Sequence, residues 1–252
     1  MKKLALTVSA LAMALAGTAI AQDGVVYPAN AENVSYAELD KLPDWRGIWQ
    51  PAVGRVGGDQ PQLIGEYKVR WDAEQEKLKA GNYEVPEGLS NCEPDGMPTM
   101  MTMPYSLEFL FTPGKIVVNQ EALMMVRRIY TDGRPLPSLD EVDPNYFGYS
   151  VGHWEGDTLV VETIGTKAGQ RLGEAGITNS DQLKITERIY LDKDNKDMLH
   201  LDFTFEDPNV LAQPWHRTHT FRRDRTWEIL EYVCAENDRH PLDADGQTQA
   251  DF

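Results

Sequence analysis

The chain is short of cysteine, of basic residues and, beyond its first twenty positions, of long apolar runs. Only Cys92 and Cys234 occur in 252 residues. That excludes a cysteine-dense scaffold and any CxxC zinc or redox motif. Lys and Arg number 24 against 40 Asp and Glu, a formal net charge of −16. Phosphate backbones are bound by clustered Lys and Arg, so this balance argues against nucleic acid as a partner. It also disfavours anionic membrane surfaces. No HExxH, GxGxxG or Walker pattern is present. Nothing in the sequence therefore calls for a metal or a nucleotide cofactor, and no cofactor is expected.

The one long apolar run lies at the start. Lys2 and Lys3 precede Leu4–Ile20, and Ala19 and Ala21 place small residues just before Gln22. This is the layout of a secretory signal peptide, with cleavage expected after residue 21. It points to a periplasmic or secreted chain with no membrane insertion after cleavage. Loss of the two lysines takes the charge from −16 to −18. Residues 22–234 are expected to form a single domain, and 235–252 an acidic flexible tail. In an oxidising compartment Cys92 and Cys234 favour a disulfide closing a loop of roughly 140 residues, worth near 5 kcal/mol in a chain-entropy model. The competing reading is a nucleophilic thiol.

Residues 22–44 read as an irregular lead-in. In "DWRGIWQP" Trp45, Gly47, Trp49 and Pro51 share one phase, which suggests a short strand ended by Pro51. Residues 61–81 carry the helical signal: Pro61 near the start, Ile64, Tyr67 and Trp71 at helical spacing, Gly81 at the end. Residues 82–106 form a long proline-rich loop. From 107 the chain alternates strand and turn, with hairpins expected in "SLEFLFTPGKIVVNQ", "FGYSVGHWEGDTLVVETI", "LKITERIYLDKDNKDMLHLDFTFED" and "WHRTHTFRRDRTWEILEYVC". About nine strands with short turns imply a mainly β fold, an antiparallel β-barrel with one N-terminal helix.

"GHWEGDTLVVET", residues 152–163, crowds charge and aromatics into one hairpin. A two-residue turn at Glu155-Gly156 pairs Trp154 with Asp157 and His153 with Thr158. Tyr149 then faces Glu162, while His153 and Glu162 share a face roughly 13 Å apart. Turn chemistry explains most of the stretch.

"CEPDGMPTMM", "EFLFTPG", "VRRIYTDGRPLP", "GHWEGDTLVVETIG" and "EDPNVLAQPW" together resemble a family of exported bacterial proteins of unknown function, over roughly residues 90–240. The resemblance implies export and names no activity. "DWRGIWQ" is similar to the Gly-x-Trp opening of lipocalin-like barrels.

Three sets of residues carry candidate chemistry. Met97, Met100, Met101 and Met103 form a thioether group, read as pocket lining or, alternatively, as a Cu(I) site. The histidines are His153, His200, His216, His219 and His240; in a strand His216 and His219 point to opposite faces, so "WHRTH" does not chelate. The strongest lead is charge on apolar strand faces. Glu187 lies in phase with Ile185 and Ile189, Glu231 with Trp227 and Ile229, and Arg128 with Met124 and Val126. Arg128 is the natural partner for such carboxylates, as a structural ion pair or as part of a site. The favoured reading is a binding or carrier protein holding a small apolar or aromatic molecule in a barrel cavity, with Tyr130, Tyr149, Glu162, Met100 and Met101 lining it. The alternative is a cofactor-free lyase, isomerase or hydrolase using Glu187, Glu231 and His153 as acid/base groups and Arg128 as anion stabiliser. A copper-handling protein using the methionines is the third.

Overall fold

The computed structural model describes residues 35–81, 92–172 and 177–234. The leader at 1–21, the tail at 235–252 with His240, and residues 82–91 of the long loop lie outside the described residues. Nine strands carry the fold: β1 (Ile48–Gly58), β2 (Leu107–Thr112), β3 (Lys115–Gln120), β4 (Met125–Tyr130), β5 (Tyr149–Glu155), β6 (Thr158–Ile164), β7 (Lys184–Leu191), β8 (Met198–Glu206) and β9 (Trp215–Asp224). Each pairs with its neighbours in chain order, and β1 pairs with β9 to close a barrel. The sequence-level expectation of a mainly β barrel holds.

One junction departs from the expected antiparallel pattern. Strands that alternate in direction close a ring only if their number is even. Nine strands force at least one parallel neighbour pair, and that pair is β4–β5. The chain reaches it through residues 131–148, a crossover of the length a parallel connection needs. The joint is thin, holding only Ile129↔Ser150 and Tyr130↔Val151. Gly152 lies just beyond it, where an added Cβ would sit 2.9 Å from Ile129 Cγ2. The glycine gives the inward Ile129 its space. A second thin seam joins β1 to β2 through Ile48↔Glu108 and Trp49↔Leu107.

Alternation then fills the interior. Leu107, Phe109, Ile116, Val118, Met125, Ile129, Leu159, Val161, Ile185, Ile189, Leu199, Leu201, Phe203, Phe205, Trp215 and Phe221 are all buried in one cluster. At roughly 1.5–3 kcal/mol for each fully buried large apolar side chain, this set dominates folding. The far end of the barrel is covered by the segment after Cys92. Met97, Met100 and Met101 there are completely buried, and Thr99 Oγ1 donates to the Arg171 carbonyl at 2.6 Å.

Several local expectations are corrected. Pro51 does not end β1; the strand runs on to Gly58, with an irregular register between Pro51 and Val56. Only Ile48 and Trp49 pair with β2, so no ladder bond towards β2 is asked of Pro51. The helix expected over 61–81 is α2 (Gly65–Lys79), which rests Tyr67 and Trp71 on the core. A further short helix, α1 (Tyr36–Leu39), lies in what reads as an irregular lead-in. The hairpin expected after Trp215 has only its first strand. The lateral edge of β9 is taken by β1, which leaves residues 227–233 no strand to pair with.

The turn of the β5–β6 hairpin is Gly156-Asp157, with Glu155↔Thr158 and His153↔Val160 paired. Gly156 has φ of 60°, and glycine at the first central position is the type II′ pattern. The shift is two residues in pairing, so the expected faces survive while Tyr149 moves opposite Ile164 rather than Glu162. Cys92 and Cys234 form the disulfide, with Cα atoms 5.8 Å apart across a separation of 142 residues. Cys234 lies beyond β9 and not on the last strand.

Reduction of Cys92–Cys234 is expected to lower the unfolding free energy by about 2–5 kcal/mol. A urea titration with and without reductant reads this as a fall in midpoint; coincident curves would contradict it.

Candidate functional site

Among the described residues one ion pair has both side chains buried in the barrel interior. Arg127 on β4 and Glu187 on β7 have side chains 1% and 0% exposed. Arg127 Nη1 donates to Glu187 Oε1 at 2.9 Å, and Nη2 donates to Oε2. Nη2 also reaches Thr163 Oγ1 on β6 at 2.9 Å and Ser150 Oγ on β5 at 3.1 Å. Ser150 and Thr163 share a hydrogen bond of 2.8 Å. Both carboxylate oxygens are thus occupied by one planar guanidinium, the geometry that best offsets desolvation of a buried pair.

Glu187 points inward as its phase demands, but its partner is Arg127 and not Arg128. The two-residue period of β4 begins at Met125, so Met125, Arg127 and Ile129 face in and Arg128 is exposed. A tight turn over 122–124, with Leu123 and Met124 in the left-handed region, resets the phase that Met124 implied.

The other sequence-predicted site residues lie apart from this pair. Glu231 is exposed and outside any strand. His153 is exposed, its ring 3.4 Å from the Glu155 carboxylate. Tyr130 and Tyr149 do come together, stacked at 5.3 Å on the outer face. There the Arg134 guanidinium lies 3.9 Å over the Tyr130 ring and donates to the Tyr149 hydroxyl at 2.9 Å. Glu162 pairs with Lys184 on the same outer face. Met100 and Met101 are buried at the far end of the barrel. His216 is exposed and His219 buried, on opposite faces of β9 as expected. Among the described residues no group of three or more His, Cys, Asp and Glu is placed to hold a metal ion.

An open site exists at the end of the barrel where β1 begins and β9 finishes. The segment 36–47 crosses this mouth. Trp45 descends into it and is 2% exposed. Its ring meets Phe109 edge-on at 5.1 Å and stands 5.5 Å from both Phe111 and Trp154. The Trp45 carbonyl accepts from Trp49 Nε1 at 3.0 Å, whereas the Trp45 indole N–H has no acceptor among the described residues. Beside this aromatic group lies a cleft of about 410 Å³, walled by Leu39, Leu42, Pro43, Trp45, Phe109 and Phe111. Asp40, Asp44 and Arg46 supply its polar rim. The volume falls in the range of small-molecule sites, which are mostly apolar with a few placed polar groups.

Asp44 and Arg46 brace the crossing segment. Arg46 donates to the Asp44 carboxylate from Nε at 2.8 Å, from Nη2 at 3.2 Å and from its backbone N–H at 3.0 Å. The Arg46 guanidinium holds the Asp44 carboxyl down at about 2. Sequence reading takes 22–44 as a lead-in and so misses this site. The only signal was Leu39, Leu42 and Pro43 preceding a tryptophan-rich strand, too short for a periodicity to register. No family model and no curated protein matches this chain.

Two outcomes follow from these groups. Arg127→Met leaves Glu187 buried and uncompensated, which is expected to cost about 3–5 kcal/mol in urea denaturation. The double change with Glu187→Leu recovers most of that loss; a double variant no better than the single would contradict the pairing. Asp44 has a depressed value in the fold, so its contribution is present above the unfolded value of about 4 and lost as pH falls through about 2. The stability gap between the native chain and Asp44→Asn therefore closes across that window. A gap of constant size from pH 5 to 2, followed by thermal melts, would refute the assignment.

Proposed function

We propose that this chain is an exported binding or carrier protein for a small, largely apolar or aromatic molecule, and that the ligand rests in the mouth cleft rather than inside the barrel. The observation that carries this reading is the aromatic wall of Trp45, Phe109 and Phe111 beside an open volume of about 410 Å³. One further feature supports it. Among the described residues the inward side chains of the barrel are almost fully buried, which favours the mouth over the interior as the place for a ligand. Export is supported by the leader pattern and by the disulfide.

The enzyme reading has less support. Glu187 has both oxygens engaged by Arg127, while Glu231, His153 and Arg128 lie exposed and away from it. The copper reading gains nothing from Met97, Met100 and Met101, whose side chains are packed in the core cluster.

Calorimetric titration of the full chain with 2-naphthol tests the proposal. One-site binding is expected, weakened about tenfold or more by Leu42→Asp, since a buried leucine contact is worth roughly 1.5–3 kcal/mol. Heats indistinguishable from dilution, or an affinity indifferent to Leu42→Asp, would overturn it.

A further inference from the structure

A second cleft of about 330 Å³ adjoins the first. Leu42, Pro43 and Asp44 line both, so the aromatic chamber and its neighbour meet along one three-residue segment. The neighbour differs in chemistry. Its lining includes Lys41, Lys196, Arg223 and Arg225 against two carboxylates, Asp44 and Asp157. Four cations in one cleft stand out in a chain with a formal charge of −16.

These cations are not all neutralised within the fold. Arg223 is 1% exposed and forms the floor. It donates to the Lys196 carbonyl at 2.6 Å and the Arg46 carbonyl at 3.3 Å, and its guanidinium lies 4.5 Å over the Trp49 ring. The nearest carboxylates to it are Asp197 at 3.3 Å and Asp44 at 3.7 Å. Asp197 is shared, since Arg225 also bonds it at 2.7 Å. Asp44 is shared as well, being clamped by Arg46. Lys41 pairs with exposed Glu38. Lys196 has no ion-pair partner among the described residues. Asp44 and Asp197 are thus each shared between two arginines, Asp157 is the third carboxylate at this cleft, and Lys196 is left over. Burial, and after it the charge of Arg225, lowers the proton affinity of Arg223, while Asp197 and Asp44 act against the shift.

Resting on the reading of the mouth cleft above, we propose that the ligand is an organic acid, whose apolar body occupies the aromatic chamber and whose carboxylate is taken by Lys196 and Arg225 in the cationic one. A carboxylate there pairs with Lys196 and accepts charge-assisted bonds from flexible, exposed donors. Arg223 stays in place beneath, already committed to two backbone carbonyls. The acidic remainder of the surface repels anions, so selection for an acid requires a local site of this kind.

The test compares 2-naphthoate with naphthalene-2-carboxamide, a neutral probe of the same shape, by calorimetry on the full chain at pH 7 and low salt. The acid is expected to bind about tenfold more tightly than the amide, with the preference shrinking as salt rises. The exposed double change Lys196→Gln with Arg225→Gln is expected to bring the two probes to the same affinity. Equal affinities for the native chain would overturn the acid assignment while leaving the apolar cleft standing. A preference that survives the double change would overturn the placement of the carboxylate. Failure of both probes to bind would sink this inference together with the reading it rests on.

Discussion

Arg127 reaches from β4 past β5 and β6 to Glu187 on β7, and on the way its guanidinium takes up Ser150 and Thr163. Four consecutive strands are thereby joined by one side chain. The strands it joins include the parallel β4–β5 joint, the place where an odd-numbered ring must break its alternation. Backbone pairing there is limited to two residue pairs, so side-chain bonds supply what the ladder lacks. A buried ion pair is weak evidence of net stability, because desolvation consumes much of its attraction. Its value here is positional. A slip of β4 that turned Val126 inward would carry Arg127 out to solvent and leave Glu187 alone among apolar groups, a far costlier state.

The other thin seam, β1–β2, is held differently. Trp45 and Trp49 pack into the barrel beside Phe109 and Leu107, replacing ladder bonds with aromatic contact. Polar groups pin one weak joint and rings pin the other. The second solution leaves an apolar surface at the rim, and the crossing segment 36–47 covers it only in part. The two clefts lie against that segment. Filling the interior and sealing the seams thus place open, chemically distinctive space at the mouth.

Much of this was legible from residue order. The turns Pro113-Gly114 and the polar stretch 192–197 mark their hairpins, because two-residue alternation on either side leaves few other arrangements. Glu187 inward follows from Ile185 and Ile189 alone. The disulfide follows from two cysteines and a leader sequence. The parallel joint was not legible, because residues 227–233 read as a strand that the fold does not form. What was not legible depends on contacts distant in sequence. Adjacent arginines at 127 and 128 present the same residue to both phases, and only the turn at 122–124 decides between them. Residues 227–233 alternate well enough for a strand, yet β1 had already taken the edge they needed. Residues 36–46 have too few apolar positions for any period, and become a wall only because Trp45 finds three rings from other elements.

On the proposed reading the ligand rests at the mouth and not among the buried inward side chains of the described residues. Amide hydrogen exchange of the full chain, with and without 2-naphthoate, addresses this most directly. Exchange slowed over residues 39–46 and in β2, with β6, β7 and β8 unchanged, is the expected result. Slowing concentrated in β6, β7 and β8 while 39–46 exchanges as before would mean that the ligand enters the barrel, and would contradict the account.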